Sequence, residues 1–117
     1  MLIRLAPDAE DEYRRLHRAV WPTVQSRLVA SGVRNYTIFV HGDLLFSYME
    51  YVGDDLERDM VFLADDPETQ RWWQLTAPLQ RTLSTNDDEW WVRMDEVFHL
   101  DGNSDAPQSV EGACDDD

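Results

Sequence analysis

The clearest periodic pattern of hydrophobic positions lies near the start of the chain. Tyr13, Leu16, His17 and Val20 follow the spacing i, i+3, i+4 and i+7, which predicts one face of a helix over about residues 9–19. Leu16 and Val20 make this face the buried one. The helix therefore turns a phenol and an imidazole, four residues apart, towards the interior, where such neighbours lie within reach of one small ligand.

Later segments alternate or form short apolar runs, which indicates strands. Residues 33–41 alternate, with Tyr36, Ile38 and Val40 on one side, and residues 44–52 form a second strand of a hairpin. Further strands are predicted at residues 1–5 and 90–100, and further helices at 21–30, 55–64 and between Pro67 and Pro78. The order β-α-β-β-α-β predicts an α+β fold with a ferredoxin-like, split βαβ sheet.

One domain accounts for these elements. The chain has 117 residues, of which 43% are hydrophobic, enough for a single core. After Leu100 the composition changes, because residues 101–117 lack aromatic side chains and hold six acidic residues and no basic one. Such a segment cannot bury enough apolar surface to offset its ordering entropy. We therefore predict one domain over residues 1–100 and a disordered acidic tail over residues 101–117.

The charge of the chain limits its partners. The formal net charge is −14, with ten arginines and no lysine. Nucleic acids and anionic membrane surfaces bind cationic faces, so neither is expected as a partner. No run approaches the about 18–20 apolar residues of a membrane span and no signal peptide is recognisable, which predicts a cytosolic protein. A neutral small molecule suits this charge better.

The sequence contains no motif for a metal or a cofactor. Cys114 is the single cysteine, and His17, His41 and His99 have no metal-ligand spacing. A phosphate-binding glycine loop and a GxSxG elbow are both missing from the sequence. We therefore predict neither a metal site nor a cofactor.

His17 and Tyr13 are the first candidates for chemistry. An unperturbed imidazole titrates near pH ~6.5, so His17 can give and take protons at neutral pH. The alternative is a hydrogen-bonded histidine in the core. Tyr13 is open to the same two interpretations, since a buried tyrosine finds a partner for its hydroxyl with or without a ligand.

The paired tryptophans are the second candidates. Neighbours on a helix point about 100° apart, so Trp72 and Trp73 cannot both face one core, and one of them is expected to flank a cavity or a partner surface. Indole faces pack on the C–H faces of sugars while the N–H donates to a hydroxyl. The alternative is amphipathic packing together with a dimer contact.

Taken in order, these residues resemble the L-rhamnose mutarotase family over about residues 3–100. The resemblance rests on a set of short motifs: Pro7-Asp8-Ala9, Glu12-Tyr13, His17, Trp21-Pro22, Asn35-Tyr36-Thr37-Ile38, Leu44-Leu45-Phe46, Gln70-Arg71-Trp72-Trp73 and Glu96-Val97-Phe98. One departure from the pattern is a first strand that is several residues short.

The resemblance implies a homodimeric α+β barrel that interconverts the α and β anomers of L-rhamnose without a cofactor. It implies that His17 is the proton donor and that Tyr13, Tyr36, Trp72 and Trp73 contact the sugar. In such a mechanism His17 would protonate the ring oxygen, and Tyr13 or Tyr36 would hold or relay the second proton. Two other functions stay open: a monooxygenase-like dimeric α+β barrel that takes a flat aromatic substrate, and a non-catalytic sugar-binding protein.

The composition of the tail leads to a first prediction. Truncation after Leu100 should leave the melting temperature and any activity of the protein nearly unchanged, because residues 101–117 have no apolar periodicity to pack against the domain. Thermal unfolding of the full-length and truncated chains measures this. A large loss of stability or activity on truncation would show that the tail docks on the domain.

Overall fold

The chain folds as a four-stranded antiparallel sheet with helices, in a computed structural model that describes residues 1–85 and 89–102. The strands follow the order β2-β3-β1-β4 across the sheet. The strands are β1 (Leu2–Leu5), β2 (Val33–His41), β3 (Leu44–Tyr51) and β4 (Gln80–Arg81). The helices are α1 (Glu10–His17), α2 (Pro22–Ala30), α3 (Leu56–Ala64) and α4 (Pro67–Thr76), and a short 3-10 helix follows at Ala77–Leu79. The predicted α+β class is confirmed.

Helix α1 is short and is delimited by its sequence. Acidic residues occupy its first turn, where the helix dipole favours them, and Arg14 pairs with Glu10 one turn away at 2.8 Å. Tyr13 is the buried residue of this helix. Pro22 cannot continue a helix but suits its first position, and it starts α2 there. No helix in the described ranges is long and apolar enough to cross a membrane.

The β2–β3 hairpin contains a bulge near its open end. Arg34 lies opposite Glu50 and Thr37 lies opposite Tyr48, so β2 carries one more residue than β3 between these two pairs. The extra residue is accommodated at Asn35, whose φ of 50° lies in the left-handed region that asparagine tolerates. A bulge changes the direction of neighbouring side chains, and Tyr36 follows directly after it.

The two faces of the sheet differ in burial. Ile3, Leu5 and Leu45 lie on the face under α1 and are at most 4% exposed; together with Tyr13 they form the centre of the core. On the opposite face Phe39 and Phe46 stack at 5.8 Å between ring centroids, and they are 54% and 38% exposed. The helices therefore cover one face and leave an aromatic surface on the other.

The last strand was predicted wrongly. Residues 90–100 were expected to form it, but the strand position beside β1 is taken by Gln80 and Arg81, opposite Leu5 and Arg4. The chain then leaves the sheet and returns for one bridge, between Val92 and Leu2.

The reason for this correction is the shortness of β1. Leu2 is its first residue and is already paired with Val92, so residues 93–100 run past the end of β1 and form no strand. Val97 and Phe98 are accordingly 97% and 80% exposed. The tail predicted to be disordered lies outside the described residues from residue 103 onwards.

Candidate active site

Tyr13 and His17 stack on each other along α1, as their spacing of four residues predicts. Their ring centroids are 4.2 Å apart and the rings are inclined by 24°. Nδ1 of His17 lies 2.8 Å from the backbone carbonyl oxygen of Tyr13. A carbonyl oxygen only accepts, so this nitrogen carries a proton and donates it. Nε2 is therefore the nitrogen that can exchange a proton with a ligand.

The surroundings of His17 favour its neutral form. Burial lowers the pKa of His17 below its ordinary value, and the hydrogen bond to the Tyr13 carbonyl opposes this shift only in part. Near neutral pH the ring is therefore neutral, and its Nε2 is unprotonated and able to accept a proton.

Trp72 packs against His17. It is 6% exposed on α4, and its ring meets that of His17 edge to face at 5.4 Å and that of Trp21 likewise at 5.4 Å. Trp73 points elsewhere, as expected for the next position on a helix, and is 42% exposed. Within the described ranges no ring contact joins Trp73 to this group. The structure thus brings one of the two predicted tryptophans to His17.

Tyr36 lies on β2 and is not among the residues that line the cavity beside His17. Its side chain is 38% exposed, yet burial raises the pKa of Tyr36 above the usual value. The Tyr36 phenol interacts electrostatically with Tyr13 and adds to the rise in the pKa of Tyr13 that burial causes. Both hydroxyls therefore stay protonated at neutral pH.

Gln80 and Trp90 form a chain of hydrogen bonds to the Tyr13 hydroxyl, and neither was predicted as a site residue. Nε2 of Gln80 donates to the Tyr13 hydroxyl at 3.2 Å, and the indole Nε1 of Trp90 donates to Oε1 of Gln80 at 2.7 Å. Gln80 is 4% exposed. Burial raises the pKa of Tyr13 to about 12, although the bond from Gln80 opposes that rise. The sequence offered only an indirect indication of Gln80, because a buried Tyr13 hydroxyl requires a hydrogen-bond partner.

A cavity of about 250 Å³ lies between α1 and the β2–β3 hairpin and includes Tyr13 and His17 in its walls. Its other walls are formed by Leu5, Glu10, Arg14, Arg18, Ile38, Phe39, Val40 and Leu45. A wider hollow of about 390 Å³ lies between α2 and the start of α4, but it contains none of the predicted site residues. We therefore place the site in the cavity beside His17. The described residues contain no cluster of three or more metal-ligating side chains.

Comparison with known proteins identifies the family of the chain. A sequence model of the L-rhamnose mutarotase family matches residues 1–100. The L-rhamnose mutarotase of Opitutus terrae is 41% identical over 96 residues, covering 79% of this chain and 86% of that protein. The one from Bacillus subtilis is 38% identical over 98 residues, covering 80% and 88%. A crystal structure of L-rhamnose mutarotase from Formosa agariphila shares the fold, with a TM-score of 0.65, 23% identity and coverage of 86% and 94%.

The fold and the cavity define a small α+β protein with a stacked tyrosine and histidine in the walls of one cavity. The family match spans most of the chain, and relatives more than 30% identical cover about four fifths of it or more. The chain therefore belongs to the L-rhamnose mutarotase family, whose members are isomerases that act on a sugar. The resemblance noted in the sequence is confirmed.

The burial of His17 predicts a pH dependence of stability. Because the pKa of His17 is lower in the folded than in the unfolded chain, the unfolded chain binds more protons between the two values. The stabilisation is complete above the unfolded pKa of about 6.5 and is lost as the pH falls through the folded pKa. Urea unfolding between about pH 8 and pH 5 should show a steeper loss for the wild type than for His17→Gln. Equal losses for the two proteins would contradict this prediction.

Proposed function

We propose that this protein interconverts the α and β anomers of L-rhamnose, or of a closely related deoxy sugar, by acid–base ring opening and reclosure without a cofactor. The observation that carries the proposal is the hydrogen bond from Nδ1 of His17 to the Tyr13 carbonyl. It leaves Nε2 of His17 free to take and return a proton at the cavity. Membership of the family supports L-rhamnose as the sugar.

Ring opening requires two proton transfers. Nε2 of neutral His17 takes the proton of the anomeric hydroxyl, the C1–O5 bond breaks as the C1=O1 bond forms, and Tyr13 gives its hydroxyl proton to O5. The open-chain aldehyde rotates about its C1–C2 bond. In reclosure the Tyr13 phenolate takes the proton back from O5, O5 attacks the other face of C1, and His17 returns its proton to O1. Positioned acid–base groups typically contribute about 10²–10⁴-fold each.

In this mechanism the first proton transfer at His17 runs in the opposite direction to the one that the resemblance implies. There His17 was expected to protonate the ring oxygen, whereas the lowered pKa of His17 makes its neutral form the resting one. His17 remains a proton donor, but to O1 during reclosure. Tyr13 suits the complementary role because a phenol with a raised pKa stays protonated until a strong acceptor forms beside it.

The remaining predicted residues would orient the sugar. Trp72 lies against His17 and supplies a rigid apolar wall, and the Tyr36 hydroxyl beside Tyr13 can bind a further sugar oxygen. Drug-sized ligands occupy about 300–1,000 Å³, so a cavity of about 250 Å³ suits a single sugar ring. The proposed contact of Trp73 with the sugar rests on the resemblance alone.

The two competing functions differ in what the cavity would do. A monooxygenase-like barrel would take a flat aromatic substrate, and the family match argues against it. A sugar-binding protein without catalysis would need no free base beside the cavity. Nε2 of His17 therefore favours catalysis over binding alone.

Anomer exchange tests the proposal directly. Saturation-difference proton NMR on the anomeric signals of L-rhamnose should show faster exchange with the EDTA-treated protein than in buffer. His17→Gln should lower the catalysed rate by about two to four orders of magnitude while sugar binding is largely kept. The matched control is His41→Gln, which changes an exposed histidine at the end of β2 and should leave the rate unchanged. Exchange at the buffer rate for rhamnose and related L-sugars would exclude the enzyme.

We further propose that two chains form a homodimer of the dimeric α+β barrel type, packed through their sheets. An open sheet with helices on one side needs a second layer on the other. The uncovered face here presents Phe39, Phe46 and Tyr48, which are between 38% and 54% exposed. A contiguous aromatic surface of this kind marks an interface, and a second copy supplies a matching sheet.

Sedimentation tests the dimer. At micromolar concentration the wild type should sediment at twice the monomer mass of 13.7 kDa. Phe46→Glu should shift it to the monomer, because a carboxylate would be buried without a partner in the interface. Val61→Glu is the control, since Val61 is 56% exposed on α3 rather than on the sheet. A wild type that sediments as a 13.7 kDa species would contradict the proposal.

A further inference from the structure

A buried amide lies directly behind the hydroxyl of Tyr13. Gln80 is the first residue of β4 and is 4% exposed. Its Nε2 donates to the Tyr13 hydroxyl at 3.2 Å, and its Oε1 accepts from the indole Nε1 of Trp90 at 2.7 Å. The amide therefore links Trp90 to Tyr13, and both its nitrogen and its oxygen form hydrogen bonds.

The indole of Trp90 determines which way this amide faces. An indole N–H can only donate, so the amide atom that meets it is the oxygen. If the amide were rotated by 180°, two donors would face each other at Trp90 and a carbonyl oxygen would face Tyr13. Because Gln80 is 4% exposed whereas Trp90 is 44% exposed, the cost would fall on the buried amide N–H, which would face the indole donor and have no acceptor there.

The amide in turn determines the direction of the Tyr13 proton. Nε2 of Gln80 can only donate, so the Tyr13 oxygen is the acceptor in this bond. A phenol has one O–H proton, and in Tyr13 it must point away from Gln80. Tyr13 borders the cavity and has the Tyr36 phenol nearby, so its proton is available to an acceptor on that side.

We propose that Gln80 is a positioning residue that holds Tyr13 as the hydrogen-bond donor to the sugar. This inference rests on the proposed function. Tyr13 then offers a proton and Nε2 of His17 offers a lone pair from the same face of α1, which is the pair that ring opening requires. Gln80 also keeps its N–H directed at the Tyr13 oxygen after proton transfer, and so stabilises the phenolate.

Two substitutions separate orientation from packing. Gln80→Glu keeps the shape and the acceptor for Trp90, but its carboxylate accepts the Tyr13 proton and withdraws it from the sugar. We expect kcat for anomer exchange to fall about 10- to 100-fold with little change in KM. Gln80→Met removes the bond without competing for the proton, so kcat should fall only about two- to tenfold. Equal losses of kcat in the two variants, or losses confined to KM, would overturn the proposal.

The pH profile of Gln80→Glu provides a signature that a packing role would not give. When the new carboxyl is protonated, its O–H can donate to Tyr13 and restore the original pattern. The ratio of the Gln80→Glu rate to the wild-type rate should therefore rise as the pH is lowered, and a flat ratio would contradict the proposal. Gln74→Glu adds the same charge at an exposed position on α4 and should match the wild type at every pH.

A spectroscopic measurement keeps this inference separate from the proposed function. With tyrosine labelled by ¹³C at Cζ, the Tyr13 signal should move downfield in Gln80→Glu at neutral pH, because the phenol then donates to a carboxylate. Gln80→Met should move it less. An unchanged signal in Gln80→Glu would overturn the assigned direction of the bond even if the wild type exchanges anomers. If the Tyr13 signal shifts as expected but the wild type does not exchange anomers, the assigned direction of the Gln80–Tyr13 hydrogen bond stands. Only the proposed enzymatic function is then refuted.

Discussion

The packing of Tyr13 against the sheet is the contact on which the site depends. Helix α1 has eight residues, fewer than the about 12–15 that an isolated helix needs to be stable in water. Its helical state therefore relies on burial of Tyr13 against Ile3, Leu5 and Leu45. The position of His17 follows, because one helical turn carries its ring onto that of Tyr13 and its Nδ1 onto the Tyr13 carbonyl. Tyr13 thus belongs to the core and also determines the position of His17.

The hydrogen bonds at Tyr13 and His17 are made by neutral groups, although the charged side chains of Glu10, Arg14 and Arg18 also border the cavity. A carbonyl that only accepts determines which nitrogen of His17 is free, and an amide N–H that only donates determines where the Tyr13 proton cannot point. The chain carries a net charge of −14, yet the polar contacts around Tyr13 and His17 use neutral groups. Such an arrangement suits a neutral substrate whose two reacting oxygens need one donor and one acceptor.

The sequence predicted what depends on local periodicity and failed where distant segments compete. The face shared by Tyr13 and His17, the hairpin and the divergence of Trp72 from Trp73 all follow from the helical and strand repeats. The predicted last strand was wrong because its pairing depends on how far β1 extends, which residues 90–100 do not encode. Gln80 was missed for a related reason: its partner Tyr13 is 67 residues away, and no local repeat links the two.

The edge-to-face contact between Trp72 and His17 couples the fluorescence of Trp72 to the protonation state of His17. A protonated imidazole quenches the emission of a nearby indole, whereas a neutral one does so far less. Trp72 is buried, and its ring centre lies 5.4 Å from that of His17, closer than the separation over which such quenching fades. We therefore expect its fluorescence to follow the charge on His17, and the spectrum of His17→Gln to separate this signal from those of the other four tryptophans. Trp72 would then act as an optical reporter of the protonation state of His17.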